Sequence, residues 1–121
     1  MSRRILVVED QEDNRRILRD LLTSAGYEMT EAVNGEEGIA LAETSRPDLI
    51  LMDIQLPGLD GYEATRRIKA SPALRSTPVI AVTSYALSGD DRKAFEAGCD
   101  AYVTKPYSPR QLLAKIREYL P

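Results

Sequence analysis

The sequence predicts an α/β fold in which a doubly wound, five-stranded parallel sheet is flanked by five helices. Two observations carry this reading. Four short, nearly continuous apolar runs, as expected of parallel strands buried on both faces, and one loosely alternating segment mark five strands along the 121 residues. Between them lie stretches of helical period bounded by capping and breaking residues. No repeat, low-complexity stretch or linker interrupts the alternation, so residues 1–121 read as one domain of ordinary size.

Ile5-Leu6-Val7-Val8 is the first such run. A helix is predicted from about Glu12, with Ile17, Leu18, Leu21, Leu22 and Ala25 on its inward stripe and Gly26 as its stop. Tyr27 to Val33 alternates loosely as a second strand. Asn34 can then cap a helix with Glu37 three residues on, and Ile39 to Ala42 supply its inward face. Arg46-Pro47 breaks that helix before Leu49-Ile50-Leu51-Met52, the most apolar strand. The turn-rich loop Leu56 to Gly61 leads into a helix carrying Tyr62, Ala64, Ile68 and Ala70. Val79 to Val82 make the fourth strand. Leu87 to Ala97 is the weakest helix, anchored by Leu87, Ala94 and Phe95 and closed by Gly98. Ala101 to Val103 form a short fifth strand. The last helix has the strongest start: Ser108 as cap, Pro109 at the first helical position, and Gln111 completing a capping box. Leu112, Leu113, Ile116, Tyr119 and Leu120 form its inward stripe.

Composition narrows the function. Hydrophobic residues make up 43% and charged residues 29%, the balance of a folded domain rather than a disordered one. No apolar run approaches the length of a membrane span, and the N-terminal run is too short for a signal-peptide core, so a cytoplasmic location is expected. The single cysteine, Cys99, permits neither an internal disulfide nor a thiolate metal cage, and its place after Gly98 favours packing. A formal charge of −3 gives no electrostatic ground for nucleic-acid binding. Arg15, Arg16, Arg66 and Arg67 sit among acids on helical faces and read as solvated surface. Histidine is absent, which excludes imidazole catalysis and any phosphohistidine on this chain.

In doubly wound sheets the site lies beyond the carboxyl ends of the strands, whichever of the two common strand orders applies. The residues there are Glu9-Asp10, Asp53, Thr83 and Lys105. If the first and third strands are neighbours, three carboxylates converge. Like charges that close disfavour ionisation and destabilise the fold unless a cation lies between them. An oxygen-only cluster selects Mg²⁺ or a similarly hard ion. One acid after one strand is better read as a solvated strand end; three acids after two core strands are not. Lys105 alone reads as a snorkelling lysine and Thr83 alone as a strand-end hydroxyl. Together, an ammonium and a hydroxyl beside a metal suit a phosphoryl group, whose transfer needs positioning and charge neutralisation. One carboxylate is then the nucleophile and forms an acyl phosphate.

At this point the chain resembles the receiver domains of two-component response regulators, over essentially its full length. The resemblance rests on Val7-Val8-Glu9-Asp10, Pro47-Asp48 through Met52-Asp53, Leu56-Pro57-Gly58 with Asp60-Gly61, Ala81-Val82-Thr83 and Lys105-Pro106, in that order and spacing. It implies the flavodoxin-like strand order 2-1-3-4-5. It implies Asp53 as phosphoacceptor, Glu9 and Asp10 as the acidic metal pair, and the Gln55 backbone carbonyl as a further Mg²⁺ ligand. Lys105 is implied to pair with the phosphoryl oxygens, and its bond to Pro106 to be cis. Residues 53–57 and 85–87 are similar to those of DivK-type single-domain regulators and of hybrid-kinase receivers.

The resemblance also implies a mechanism of signalling. A histidine kinase or a histidine phosphotransfer protein supplies the phosphoryl group. Thr83 moves toward it, Tyr102 turns inward, and the helix from Leu87 shifts, changing the face made by helix 4, strand 5 and helix 5. That face is expected to meet a downstream protein target, or a second copy in a weak homodimer of an otherwise monomeric protein. Tyr102 taken alone is a half-buried strand tyrosine. Gln55 and Tyr85 flank the implied path of water to the acyl phosphate and are expected to tune its lifetime. Tyr107, next to Pro106, can be interface or plain surface. With no output domain before its end at Pro121, the chain is expected to act by binding proteins, not nucleic acid or membrane, and not as an enzyme on other substrates.

Other readings fit less well. Haloacid-dehalogenase phosphatases place a second Asp two residues after the nucleophile, where this chain has Gln55. A flavodoxin-like flavin binder needs a Ser/Thr/Gly-rich loop after the first strand, whereas Glu9 to Asp13 would repel a phosphate. No phosphate-cradling glycine fingerprint is present. A pseudo-receiver that never takes phosphate is the alternative from another class, and the presence of Asp10, Asp53, Thr83 and Lys105 argues against it.

Overall fold

The computed structural model describes residues 3–83 and 90–121. Five strands, β1 (Arg4–Val8), β2 (Glu28–Ala32), β3 (Leu49–Asp53), β4 (Val79–Thr83) and β5 (Ala101–Thr104), alternate with five helices. These are α1 (Glu12–Ser24), α2 (Gly35–Ser45), α3 (Gly61–Ala70), α4 (Asp90–Ala97) and α5 (Pro109–Tyr119). The strands form one parallel sheet in the order β2-β1-β3-β4-β5, as expected. Of the expected start of the fourth helix, Leu87 lies outside the described residues.

Strand alternation divides the core in two. Leu6, Val8, Ile50, Met52 and Ala81 face Ala42 of α2, Ala64 and Ile68 of α3 and Ala94 of α4. Ile5, Val7, Leu49, Leu51 and Ile80 face Leu18 and Leu22 of α1 and Leu112 and Ile116 of α5. Both faces of β1 and β3 are therefore dry, which is why their sequences read as unbroken apolar runs. The edge strand β2 is only partly covered and alternates weakly.

The caps explain where helices begin. Asn34 accepts from the Glu37 N–H, although the Glu37 carboxylate returns to the Val33 N–H rather than to the cap itself. Asp60, a cap the sequence reading did not single out, accepts from the Glu63 N–H. Ser108 and Gln111 form the full reciprocal box.

Several expected core positions turn outward. Ile17 is 58% exposed and Phe95 51% exposed. Only Leu18 and Leu22 of the broad α1 stripe are buried, because a helix on a sheet buries a narrower arc than the stripe offers. On α4 the small residues Ala94 and Ala97 make the contact and Phe95 faces away. On α3, Ala70 is exposed and Thr65 is buried in its place, its hydroxyl donating to the Gly61 carbonyl. Cys99 is buried as expected, and burial pushes its thiol up to about 11.

Gly61 sets how closely α3 follows β3. A Cβ there would lie 2.4 Å from the Asp53 carbonyl oxygen and 2.7 Å from the Ile54 Cα, both backbone atoms that cannot step aside. Gly61→Ala is therefore expected to lower unfolding free energy by about 2 kcal/mol, within the usual range for overpacking. Denaturant unfolding measures this, and a variant as stable as wild type would contradict it.

Candidate functional site

The sheet order brings the ends of β1, β3, β4 and β5 side by side. Val8 pairs in register with Met52, Asp53 with Val82, and Thr83 with Thr104. The residues that follow, Glu9-Asp10, Asp53, Thr83 and Lys105, are thus delivered to one edge. Continuing the alternation, Glu9 follows Ile5 and Val7, and Asp53 follows Leu49 and Leu51, so both carboxylates lie on the α1/α5 side.

Glu9, Asp10 and Asp53 each offer a carboxylate oxygen within 4.8 Å of the other two. Glu9 is 3% exposed and Asp53 5% exposed, while Asp10 is half-buried. The Lys105 ammonium reaches between them, 3.1 Å from Glu9 Oε1 and 3.7 Å from Asp53 Oδ2. Three carboxylates around one ammonium leave the cluster rich in negative charge. Burial, then the hydrogen bond and charge of Glu9, push Asp53 up to about 6, against the opposing pull of Lys105. For Glu9, burial also works upward, but hydrogen bonds from Asp53, the Gln11 N–H and Lys105 outweigh it and hold its carboxyl low. The pair thus takes up its first proton more readily than two separate acids, and carries it at Asp53.

The backbone after β3 turns back on the site. The Gln55 N–H donates to Asp53 Oδ1 at 3.0 Å, and the Gln55 side-chain amide donates to the fully buried Thr83 hydroxyl. Thr83 is therefore linked to Asp53 through Gln55. The Lys105–Pro106 peptide is cis. Tyr102 is half-buried and packs against the core shared by α2, α3 and α4. Tyr85 lies outside the described residues.

Three participants went unrecognised as such in the sequence. The Asn14 side-chain amide donates to Glu9 Oε1 at 3.1 Å. Arg15, expected on the surface, is only 11% exposed at its side chain. It donates to the Glu9 backbone carbonyl at 2.8 Å and pairs with Glu31 of β2. Tyr107 is half-buried and, with Val7, Leu51 and Val82, lines the hollow beneath Glu9 and Asp53. Burial and the two carboxylates raise its phenol above the ordinary value. Arg16, Arg66 and Arg67 are exposed, as expected.

An oxygen-only cluster with excess negative charge is the donor set of a hard divalent cation. Among the described residues, no helix is long and apolar enough to cross a membrane.

Residues 5–117 match the response regulator receiver domain family. The chain is 45% identical over 120 residues to the polar-differentiation response regulator DivK of Brucella anthropi, covering 99% of this chain and 98% of that protein. The DivK of Brucella ovis is 43% identical with the same coverage. The receiver domain of the sensor histidine kinase PA1611 from Pseudomonas aeruginosa PAO1, solved with a magnesium ion coordinated in its active site cleft, superposes with a TM-score of 0.92. It is 38% identical, over 99% of this chain and 98% of that one. A putative response regulator from Chloroflexus aurantiacus gives 0.94 at 30% identity, with the same coverage. The chain belongs to the response regulator receiver domain family and is a phosphoacceptor switch of two-component signalling rather than an enzyme.

Proposed function

We propose that Asp53 is the phosphoacceptor, that Mg²⁺ is the cation, and that Glu9, Asp10, Asp53 and the Gln55 carbonyl hold it. One observation carries this reading: a buried carboxylate at the sheet edge, with two further acids within 4.8 Å and a lysine ammonium at 3.7 Å. The donor set fits the ion, and the similar Pseudomonas receiver holds magnesium in its cleft. When bound, Mg²⁺ supplies charge neutralisation for the carboxylates and the incoming phosphoryl oxygens.

A receiver domain implies a histidine kinase partner; the donor is a phosphohistidine on that kinase or on a phosphotransfer protein. An Asp53 carboxylate oxygen attacks phosphorus, the donor's N–P bond breaks, and the imidazole nitrogen keeps the electron pair. Asp53 must be ionised to attack. Its pKa of about 6 leaves it mostly so at neutral pH, and a neighbouring cation favours the ionised form further. Lys105 moves from Glu9 toward the new phosphoryl oxygens. Thr83, its hydroxyl already in the Gln55 contact, donates to the same group, and Tyr102 and α4 follow as the switch. Gln55 and Tyr85 tune the lifetime of the acyl phosphate. The face of α4, β5 and α5 then meets a protein target or a second copy, in the cytoplasm and without nucleic acid.

Incubation with acetyl phosphate and Mg²⁺ is expected to add one phosphoryl group, seen by intact-protein mass. Asp53→Asn and removal of Mg²⁺ both abolish it. An unlabelled wild type, or a labelled Asp53→Asn, would overturn the assignment.

Lys105→Ala is expected to bind Mg²⁺ but to take the label about 100-fold more slowly, the usual cost of losing a group that meets developing charge. Labelling at the wild-type rate would remove Lys105 from the mechanism.

A further inference from the structure

Glu9 Oε1 receives two donors at equal range, the Asn14 amide at 3.1 Å and the Lys105 ammonium at 3.1 Å. Oε2 receives the Gln11 N–H at 3.1 Å, and the Glu9 backbone carbonyl receives Arg15. Lys105 is thus 0.6 Å nearer to Glu9 than to Asp53, the difference between 3.1 and 3.7 Å. In this arrangement the lysine is drawn toward the acid that is not the phosphoacceptor. For Lys105 to leave, Glu9 Oε1 must remain solvated by something else, because a buried carboxylate oxygen stripped of its donor is costly. Asn14 already donates to that oxygen, and its neutral amide gives no charge competition with a cation.

We propose that Asn14 is a positioning residue: its amide holds Glu9 in place once Lys105 lets go, which frees the ammonium for the phosphoryl group and Glu9 for the metal site. The placement is economical. Asn14 sits in the first turn of α1, whose own start is fixed directly after Asp10, and Arg15 beside it fastens the same turn to the Glu9 carbonyl. Asn14 also borders, with Lys105 itself, the opening formed by Ile17, Pro106 and Tyr107. The inference rests on the proposed roles of Asp53 and Lys105, but its first readout does not require phosphorylation.

The test is a double-mutant cycle of Asn14→Leu with Lys105→Ala, read by calorimetric Mg²⁺ affinity without any phosphodonor. With Lys105 present, loss of the amide tightens the hold of Lys105 on Glu9, so Asn14→Leu weakens Mg²⁺ binding about tenfold to hundredfold, the scale of one hydrogen bond to a charged group. With Lys105→Ala the competitor is gone and Asn14→Leu has little effect. Labelling by acetyl phosphate at saturating Mg²⁺ slows by a similar factor in Asn14→Leu alone. Asn14→Ala, which adds no bulk to the helix, is expected to repeat the pattern if the leucine variant folds poorly. Equal losses in both Lys105 backgrounds would show that Asn14 only supports the helix or Glu9, and would overturn the proposal, as would no loss in either. If the coupled Mg²⁺ effect is seen and wild type takes no label, the phosphoacceptor reading fails while the Asn14–Lys105 coupling stands.

Discussion

Three carboxylates gathered at the ends of two adjacent core strands impose the constraint to which the rest of the structure answers. β1 and β3 pair in register at the centre of the sheet, so Glu9 and Asp53 cannot avoid each other, and both are almost fully buried. In water such a cluster would disperse. Here the apolar runs that precede each acid hold it, and the cost of keeping the charges together is offset by burial along Ile5 to Val8 and Leu49 to Met52. The strain is local and electrostatic. It shows in Asp53, whose proton is retained to about pH 6, and in a lysine drawn in from β5 to stand between the acids.

The surrounding elements keep that cluster in one geometry. Gly61 lets α3 start hard against the backbone of Asp53 and Ile54. Gln55 ties Asp53 to Thr83 at the end of β4. On the other side, Arg15 and Arg19 join α1 to Glu31 of β2, and Arg15 extends to the Glu9 carbonyl. The Arg19 contacts also hold the Glu31 carboxyl below its ordinary range. Among the described residues, α4 is anchored by small side chains, Ala94 and Ala97, and α2 by Gly35, Gly38 and Ala42.

Much of this is legible in the amino-acid sequence. The strands were plain because both faces of β1, β3 and β4 are buried, and such strands carry no polar interruption. The site followed from them, since the chemistry sits on the first residues after each strand. What escaped was side-chain reach between elements. Periodicity places Ile17 on the inward stripe and Arg15 outside it, yet the isoleucine is exposed and the arginine side chain is largely covered by its contacts with Glu9 and Glu31. Phe95 reads as an anchor by size, whereas Ala94 and Ala97 are the buried residues and Phe95 is exposed. Asn14 had no signal of its own: its role depends on how far an amide in the first turn of α1 lies from a glutamate on β1. A spacing of five residues does not encode that distance.

The ionised cluster opposes folding unless a cation lies among its carboxylates. With a folded-state pKa of about 6 against an ordinary 3.8, Asp53 binds its proton more tightly folded than unfolded. Its charge therefore costs stability above pH 6, and that cost fades as pH falls through 6 toward 4. Denaturant unfolding at pH 7.5, with chelator and then with Mg²⁺, for wild type and Asp53→Asn tests this most directly. Without metal the asparagine variant is expected to be the more stable, and Mg²⁺ to stabilise wild type far more than the variant. A variant less stable than wild type in chelator, with no response of wild type to Mg²⁺, would contradict it.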